Sequence, residues 1–219
     1  MRVEFRSVRF PLVDLQEQLE AFVARFPSAR ADDAGVQFVA DDGAARLRLP
    51  LAGPRATAGE WAGDYLERLP APIERQLVVL LRAGAVAVGY WRGDELLHHK
   101  AIRRYVVRGN GKAQSTHLKT RGKSRYGSRL RLQNWRRLLA ETNERLRDYQ
   151  ELSGAADRVF HAAPVRVWAE LFEADPPPPF GRHDDVLQRV PMHVHRPDHE
   201  ELLRVRAWLC RGRLELPAG

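Results

Sequence analysis

Residues 76–101 read QLVVLLRAGAVAVGYWRGDELLHHKA, and the fold turns on how this stretch divides. Gln76–Arg82 and Ala85–Trp91 are apolar, β-rich runs separated by Ala83-Gly84. Glu95–Ala101 follows across Arg92-Gly93-Asp94, the clearest hairpin signal in the chain. A fourth β-rich run, Arg103–Arg108, comes directly after. The spacing predicts a sheet.

Towards the C-terminus the pattern changes. Gly109–Tyr126 has no apolar periodicity and is rich in Gly, Lys, Ser and Thr, which predicts one long loop; loops of that length in a compact domain are generally functional. From Ser128 a helix is expected, with Leu132, Trp135, Leu139, Leu146 and Tyr149 on an apolar stripe and Gly154 as its stop. Arg158–Ala162 reads as a buried strand and Pro164–Glu173 as a helix begun by proline. Pro176–Pro179 is a stiff spacer, Val190–His195 an edge strand on account of Pro191, and Asp198–Cys210 a last helix. Towards the N-terminus, Val3–Phe10 alternates like a strand, and Leu12, Leu15, Leu19, Phe22 and Val23 recur at helical spacing. Val36–Val39 and Ala45–Leu51 form a strand pair about Asp41-Asp42-Gly43, and a short helix is expected near Trp61–Leu69. The expected class is α/β: a small N-terminal α+β unit over 1–72, bounded by Pro70-Ala-Pro72. A mixed sheet flanked by helices follows over 73–219, with a basic loop at 109–126.

Charge narrows the partners. Fifteen Lys and Arg residues lie between Lys100 and Arg147 against only Glu141 and Glu144, a local +13 on a chain of net charge +8. Such a concentrated basic segment is the footprint of a polyanion, nucleic acid first. Leu77–Trp91 is broken by Arg82 and too short to span a bilayer, and Met1–Arg6 has no apolar core of a secretory leader. No segment joins a basic face to a broad aromatic and aliphatic one, as an interfacial membrane helix does. The single cysteine, Cys210, excludes an internal disulfide and a zinc-finger pattern. A soluble, cytoplasmic protein is expected.

Inside the basic segment, Arg108-Gly-Asn-Gly-Lys-Ala-Gln-Ser115 holds one glutamine, Gln114, between small and cationic residues. Gly109 and Gly111 let the backbone approach a ligand closely. Lys112, Lys119, Arg121, Lys123 and Arg125 can each neutralise a phosphate. A carboxamide is no general base at neutral pH, but it or its backbone N–H can hold a water or donate to a developing oxyanion. On composition alone, a solvated polar loop that merely touches RNA accounts for the same residues.

Five elements taken together carry a resemblance. They are Ala85–Gly93, His98–Lys100, Arg104–Arg108, Gly111–Ser115 and Tyr126–Asn134. Their order and spacing resemble the Vms/ANKZF-type release-factor-like family, similar in turn to the middle domain of eukaryotic and archaeal peptide release factors. That pattern runs from a strand to a lysine-bearing strand, an Arg-Tyr-Thr/Val-Val-Arg strand, a Gly-x-x-Gln loop and a Gly-Ser-x-Leu-Arg-x-x-Asn helix. The resemblance implies a release-factor middle-domain-like fold and a bacterial peptidyl-tRNA hydrolase of ribosome rescue. Such an enzyme frees nascent chains from tRNA on a stalled large ribosomal subunit. By its place in the pattern, Gln114 would be the catalytic glutamine, inserted in the peptidyl-transferase centre. Lys112-Ala113 stands where release factors carry Gly-Gly. The large subunit and peptidyl-tRNA are the implied partners, with no cofactor, membrane or DNA. The resemblance leaves the cleaved bond open between the ester and a tRNA phosphodiester near the 3′ end.

Flanking the loop, Lys100, Arg104 and Arg108 are candidate RNA contacts. So are Arg129 and Arg131 in the first turns of the following helix, whose backbone N–H groups favour a phosphate. His98 is expected to share the face of Lys100. His161, in an apolar strand, reads as a hydrogen-bonded core residue, and Trp135 and Trp168 as core rather than stacking platforms. His183, Asp184, Asp185, His193, His195 and His199 match no metal-ligand spacing, though His193 and His195 on a strand would share a face.

Overall fold

The computed structural model describes residues 5–40, 43–69, 74–106 and 123–217. The chain divides into one unit of Met1–Pro72 with Val205–Gly219 and a second of Ile73–Arg204. The expected second unit, 73–219, is therefore corrected at its end. Arg211–Pro217 is a strand, and it pairs antiparallel with the first strand of the chain from Phe5↔Pro217 to Pro11↔Arg211. Local sequence cannot reveal a partner at the opposite end of the chain.

The first unit holds β1 (Phe5–Pro11), α1 (Leu15–Arg25), β2 (Arg30–Ala31), β3 (Gln37–Val39), β4 (Arg46–Arg48) and α2 (Ala62–Glu67). Its five-stranded antiparallel sheet has the order β1-β10-β4-β3-β2, where β10 is Arg211–Pro217. Alternation gives the sheet two unlike faces. Phe10, Leu47 and Phe38 point into a core with Leu15, Leu19 and Phe22 of α1 and Tyr65 of α2. The Phe10 ring lies where a Cβ on its cross-strand partner Gly212 would be, 2.2 Å from the nearest ring atom, so this pair requires glycine. Tyr65 is buried yet satisfied, its hydroxyl donating to the Pro54 carbonyl at 2.7 Å.

The second unit is the expected mixed sheet, of order β7-β6-β5-β8-β9. β5 (Arg75–Arg82), β6 (Ala85–Arg92) and β7 (Glu95–Arg103) form two hairpins, and β8 (Arg158–Ala162) and β9 (Leu187–Arg189) add on parallel to β5. β5 is central, with Leu77–Leu81 fully buried, so both its faces are apolar and no alternation shows in its sequence. One face packs against α3 (Lys123–Ser153) and α4 (Val165–Phe172) through Leu138, Leu139, Leu146, Tyr149, Trp168 and Leu171. The buried Asn143 of α3 donates to the carbonyls of Leu171 and Pro176, each at 2.8 Å, and fixes the two helices together.

Four expectations shift. The fourth β-rich run is not a separate strand: β7 continues to Arg103, and Arg104–Val106 lie in no strand. The helix begins at Lys123, not Ser128, so the expected loop is shortened. Apolar periodicity reports a buried face, and the first fully buried side chain among the described residues of α3 is Leu138. Val190–His195 is not a strand; Leu187–Arg189 is. The buried Val190 and Val194 produced the strand-like alternation, but Pro191 has no N–H for a ladder. α5 (His199–Leu209) starts as expected, with Asp198 accepting from the Glu201 N–H at 2.9 Å. Among the described residues, no helix is long and apolar enough to cross a membrane.

Candidate functional site

β5, β7, β8 and β9 run parallel to one another, so their carboxyl ends share one edge of the sheet, at Arg82, Arg103, Ala162 and Arg189. Ligands of α/β sheets bind outside such edges. The exit of β7 is fixed there by three bonds. The Arg104 N–H donates to the Gly84 carbonyl at 2.9 Å, Asn134 of α3 donates to the Tyr105 carbonyl at 2.9 Å, and the Arg104 guanidinium pairs with Glu141 of α3. Gly84 has φ +82°, and a Cβ on it would meet the Arg104 carbonyl oxygen at 2.8 Å; the turn needs glycine on both counts.

Because Asn134 is level with Tyr105, the part of α3 before it runs on past that anchor. Eleven residues separate Lys123 from Asn134, about 16 Å of helix. Of these, Arg129 is exposed, Leu130 and Leu132 are 38% and 51% exposed, and Arg131 donates to the Ser128 hydroxyl at 3.1 Å. The β7 exit thus reaches Val106 on the sheet edge, and α3 begins at Lys123.

A hollow of about 640 Å³ opens at the same edge, lined by Arg82, Gly84, Arg103, Arg104, Tyr105 and Arg196 among others. Arg103 is tied to Asp198 at 2.9 Å, Arg104 to Glu141, and Arg82 donates to the Val194 carbonyl. Arg196 and Tyr105 are exposed. A second hollow of about 540 Å³ shares Arg82 and is lined by Arg189 and His193. Sequence reasoning named neither Arg82 nor Arg196 as a candidate contact. Arg82 closes an apolar strand and Arg196 lies in a turn, so neither belongs to the basic run.

The candidate residues divide as follows. Gln114, Arg108, Gly109, Gly111, Lys112, Lys119 and Arg121 lie outside the described residues, while Lys123 and Arg125 fall in the first turns of α3. Lys100 is exposed on the β7 face that looks towards α3, two residues from the buried Ile102. His98 shares that face, as expected, but it is committed to structure. Its ring stacks on Tyr149 at 5.0 Å and its Nε2 lies 2.8 Å from the Ser153 hydroxyl. His99 points the other way, against His199 at 4.3 Å.

His161 stacks face to face on Trp168 at 4.1 Å, and burial, helped by Arg189, pushes its pKa down to about 4. It is a half-buried, neutral ring. The expected hydrogen bond fails at Nδ1, which has no partner among the described residues. Trp135 packs against the core and donates its indole N–H to Glu170 at 2.5 Å. Of the histidine-rich set, His193 and His195 have rings 5.1 Å apart, Asp184 accepts from the Gly181 N–H, and His199 faces His99. No group of three metal-ligating side chains forms among the described residues.

Comparison with known proteins adds the family. The mouse protein named tRNA endonuclease ANKZF1 is 32% identical over 160 residues, covering 71% of this chain; the match spans only 21% of the mouse protein. In fold, the solved Vms1 mitochondrial localization core matches with a TM-score of 0.50 and 14% identity, over 95% of this chain and 82% of that one. Residues 76–215, which take in the sheet, its arginine-lined edge and α3, match the family described as Bacteroidetes VLRF1 release factor. The chain belongs to that family, and with it to the Vms/ANKZF-type release-factor-like proteins.

Proposed function

We propose that the chain is a peptidyl-tRNA hydrolase of release-factor type that acts in the cytoplasm and frees nascent chains from tRNA on stalled large ribosomal subunits. The observation that carries this reading is the position of the attachment points. The segment holding Gln114 joins the arginine-lined exit of β7 to the start of α3, which is basic in sequence. Exposed cations on both sides, Lys100 and Arg196 by the sheet edge and Arg129 on α3, hold phosphates, and the glutamine between them acts at the reacting carbon. In this reading Gln114 orients a water. That water adds to the ester carbonyl carbon, the bond to the tRNA ribose oxygen breaks, the ribose oxygen leaves as a hydroxyl, and the peptide leaves as a carboxylate. The carboxamide takes no proton itself, so proton transfer falls to tRNA and ribosome. Gly109 and Gly111 allow the backbone approach, while Lys100, Arg108, Lys112, Lys119, Arg121, Lys123, Arg125, Arg129 and Arg131 supply RNA contacts; Arg104, the remaining expected contact, is left out because it is paired with Glu141.

A second reading, cleavage of the tRNA near its 3′ end, is favoured by the name of the mouse relative. One experiment separates the two: peptide release from purified large subunits carrying a labelled nascent chain on tRNA, followed by analysis of the tRNA 3′ end. Release with an intact tRNA end is expected. Gln114→Ala should lower the release rate by about 10²–10³-fold, the usual cost of one positioned donor, with binding to the subunit unchanged. Release retained in that variant overturns the role of Gln114, and a shortened tRNA makes the protein a nuclease. Salt-sensitive binding without release by the wild type would leave an RNA-binding module.

A further inference from the structure

We infer that the exposed face of the first sheet is a second RNA-binding surface, outside the basic segment. The first unit is electrically neutral: residues 1–72 and 205–219 hold twelve arginines, no lysine and twelve carboxylates. The sheet nevertheless sorts these charges. Strand register sets Arg9, Arg213 and Arg48 directly abreast on β1, β10 and β4. Arg211 and Arg46 lie two residues from Arg213 and Arg48 on the same strands, and so on the same face. The result is a grid of guanidinium groups whose backbones are about 5 Å apart across the strands and about 7 Å along them. Among the described residues of these three strands, Glu215 is the one carboxylate on this face, 3.5 Å from Arg213.

Like charges placed directly opposite weaken strand pairing. Here the fold accepts two such pairs side by side, Arg9 with Arg213 and Arg213 with Arg48, in the ladder that closes the sheet. A polyanion laid on the face removes that repulsion. The face also carries the parts for nucleic acid in particular. Arg9, Arg48, Arg211 and Arg213 line a hollow of about 160 Å³ together with Trp208, an aromatic surface beside the cations. At the far end Arg30 stacks over Trp61 at 3.6 Å. Guanidinium forks bind phosphate through two bonds and stack on bases, and aromatic rings take bases face to face. The choice of RNA among polyanions rests on the ribosomal setting proposed above; the surface itself does not depend on Gln114.

The test uses the full chain with Arg9→Gln, Arg48→Gln and Arg213→Gln combined, and purified large-subunit ribosomal RNA as the probe. Affinity is measured over a salt series together with Tm. Three lost phosphate contacts should weaken binding and lower the slope of log K against log salt by about 2. Tm should hold or rise, since repulsion is removed. An unchanged slope overturns the inference. So does binding to phosphatidylserine vesicles that the substitutions abolish while RNA binding persists. Should the triple variant fold poorly, Arg9→Gln and Arg48→Gln singly must each lower the slope by about 0.7, or the inference fails. Release per bound subunit should be unchanged in the triple variant, and the salt slope unchanged in Gln114→Ala, so each result can fail without the other.

Discussion

The two sheets use arginine in opposite ways. In the second unit the arginines around the sheet are struts. Arg104 holds Glu141, Arg103 holds Asp198, Arg75 holds Asp157 and Arg158 holds Glu74, each tying a strand or its exit to another segment. In the first unit Arg9, Arg213 and Arg48 stand in a row across three strands, and Arg213 pairs with Glu215 of its own strand rather than with another segment. A paired arginine is spent on geometry, while a row of like charges costs the fold stability and implies a partner. Charge counts alone mislead in both units. The neutral unit still presents a row of cations on one face, and part of the strongly basic unit's charge is already neutralised.

The largest effect that would break this contrast lies at Arg104. As a strut, Arg104→Gln should destabilise the second unit by about 1–3 kcal/mol, the cost of leaving the partly buried Glu141 carboxylate without its partner. The salt dependence of RNA binding should not move. A normal Tm with a lowered salt slope would turn Arg104 into an RNA contact and erase the distinction. A smaller effect is expected at Arg196, which is exposed on the edge hollow. Arg196→Gln should leave Tm unchanged and reduce the salt slope by about 0.7–0.9, one phosphate; calorimetry and RNA titration together check both halves.

The smallest effect concerns Arg189, which helps keep His161 uncharged. The folded-state pKa of His161, about 4, lies below the ordinary value of 6.5, so the unfolded chain binds the extra proton first. Stability is therefore full above about pH 6.5 and is lost as pH falls towards 4. Thermal melts across that window should show the decline. Arg189→Gln should make it slightly shallower, because the folded pKa then moves up towards the ordinary value. A decline that His161→Phe leaves intact would assign it to other groups.

Much of the second unit was legible because its signals are local. β5, β6 and β7 are neighbours joined by glycine turns at Gly84 and Gly93, and α3 carries its own apolar stripe from Trp135 to Tyr149. What the sequence hid was convergence. Arg9, Arg48 and Arg213 come from three distant segments, and only strand register makes them neighbours. Arg82 and Arg196, also far apart in sequence, line one hollow at the sheet edge. The alternation of Val190 to His195 misled because burial against a sheet face and membership of a ladder leave the same pattern.

The pairing of β1 with β10 also sets an order of assembly. A chain made from its N-terminus has all of residues 73–204 available before Arg211 is added, so the second unit can fold while synthesis continues. The first sheet cannot close until its last strand arrives between β1 and β4, and until then both of those strands present bare edges. Such distant pairing is slow to find. During synthesis, the arginines of β1 and β4 are therefore kept apart until the strand that brings them into line has been made.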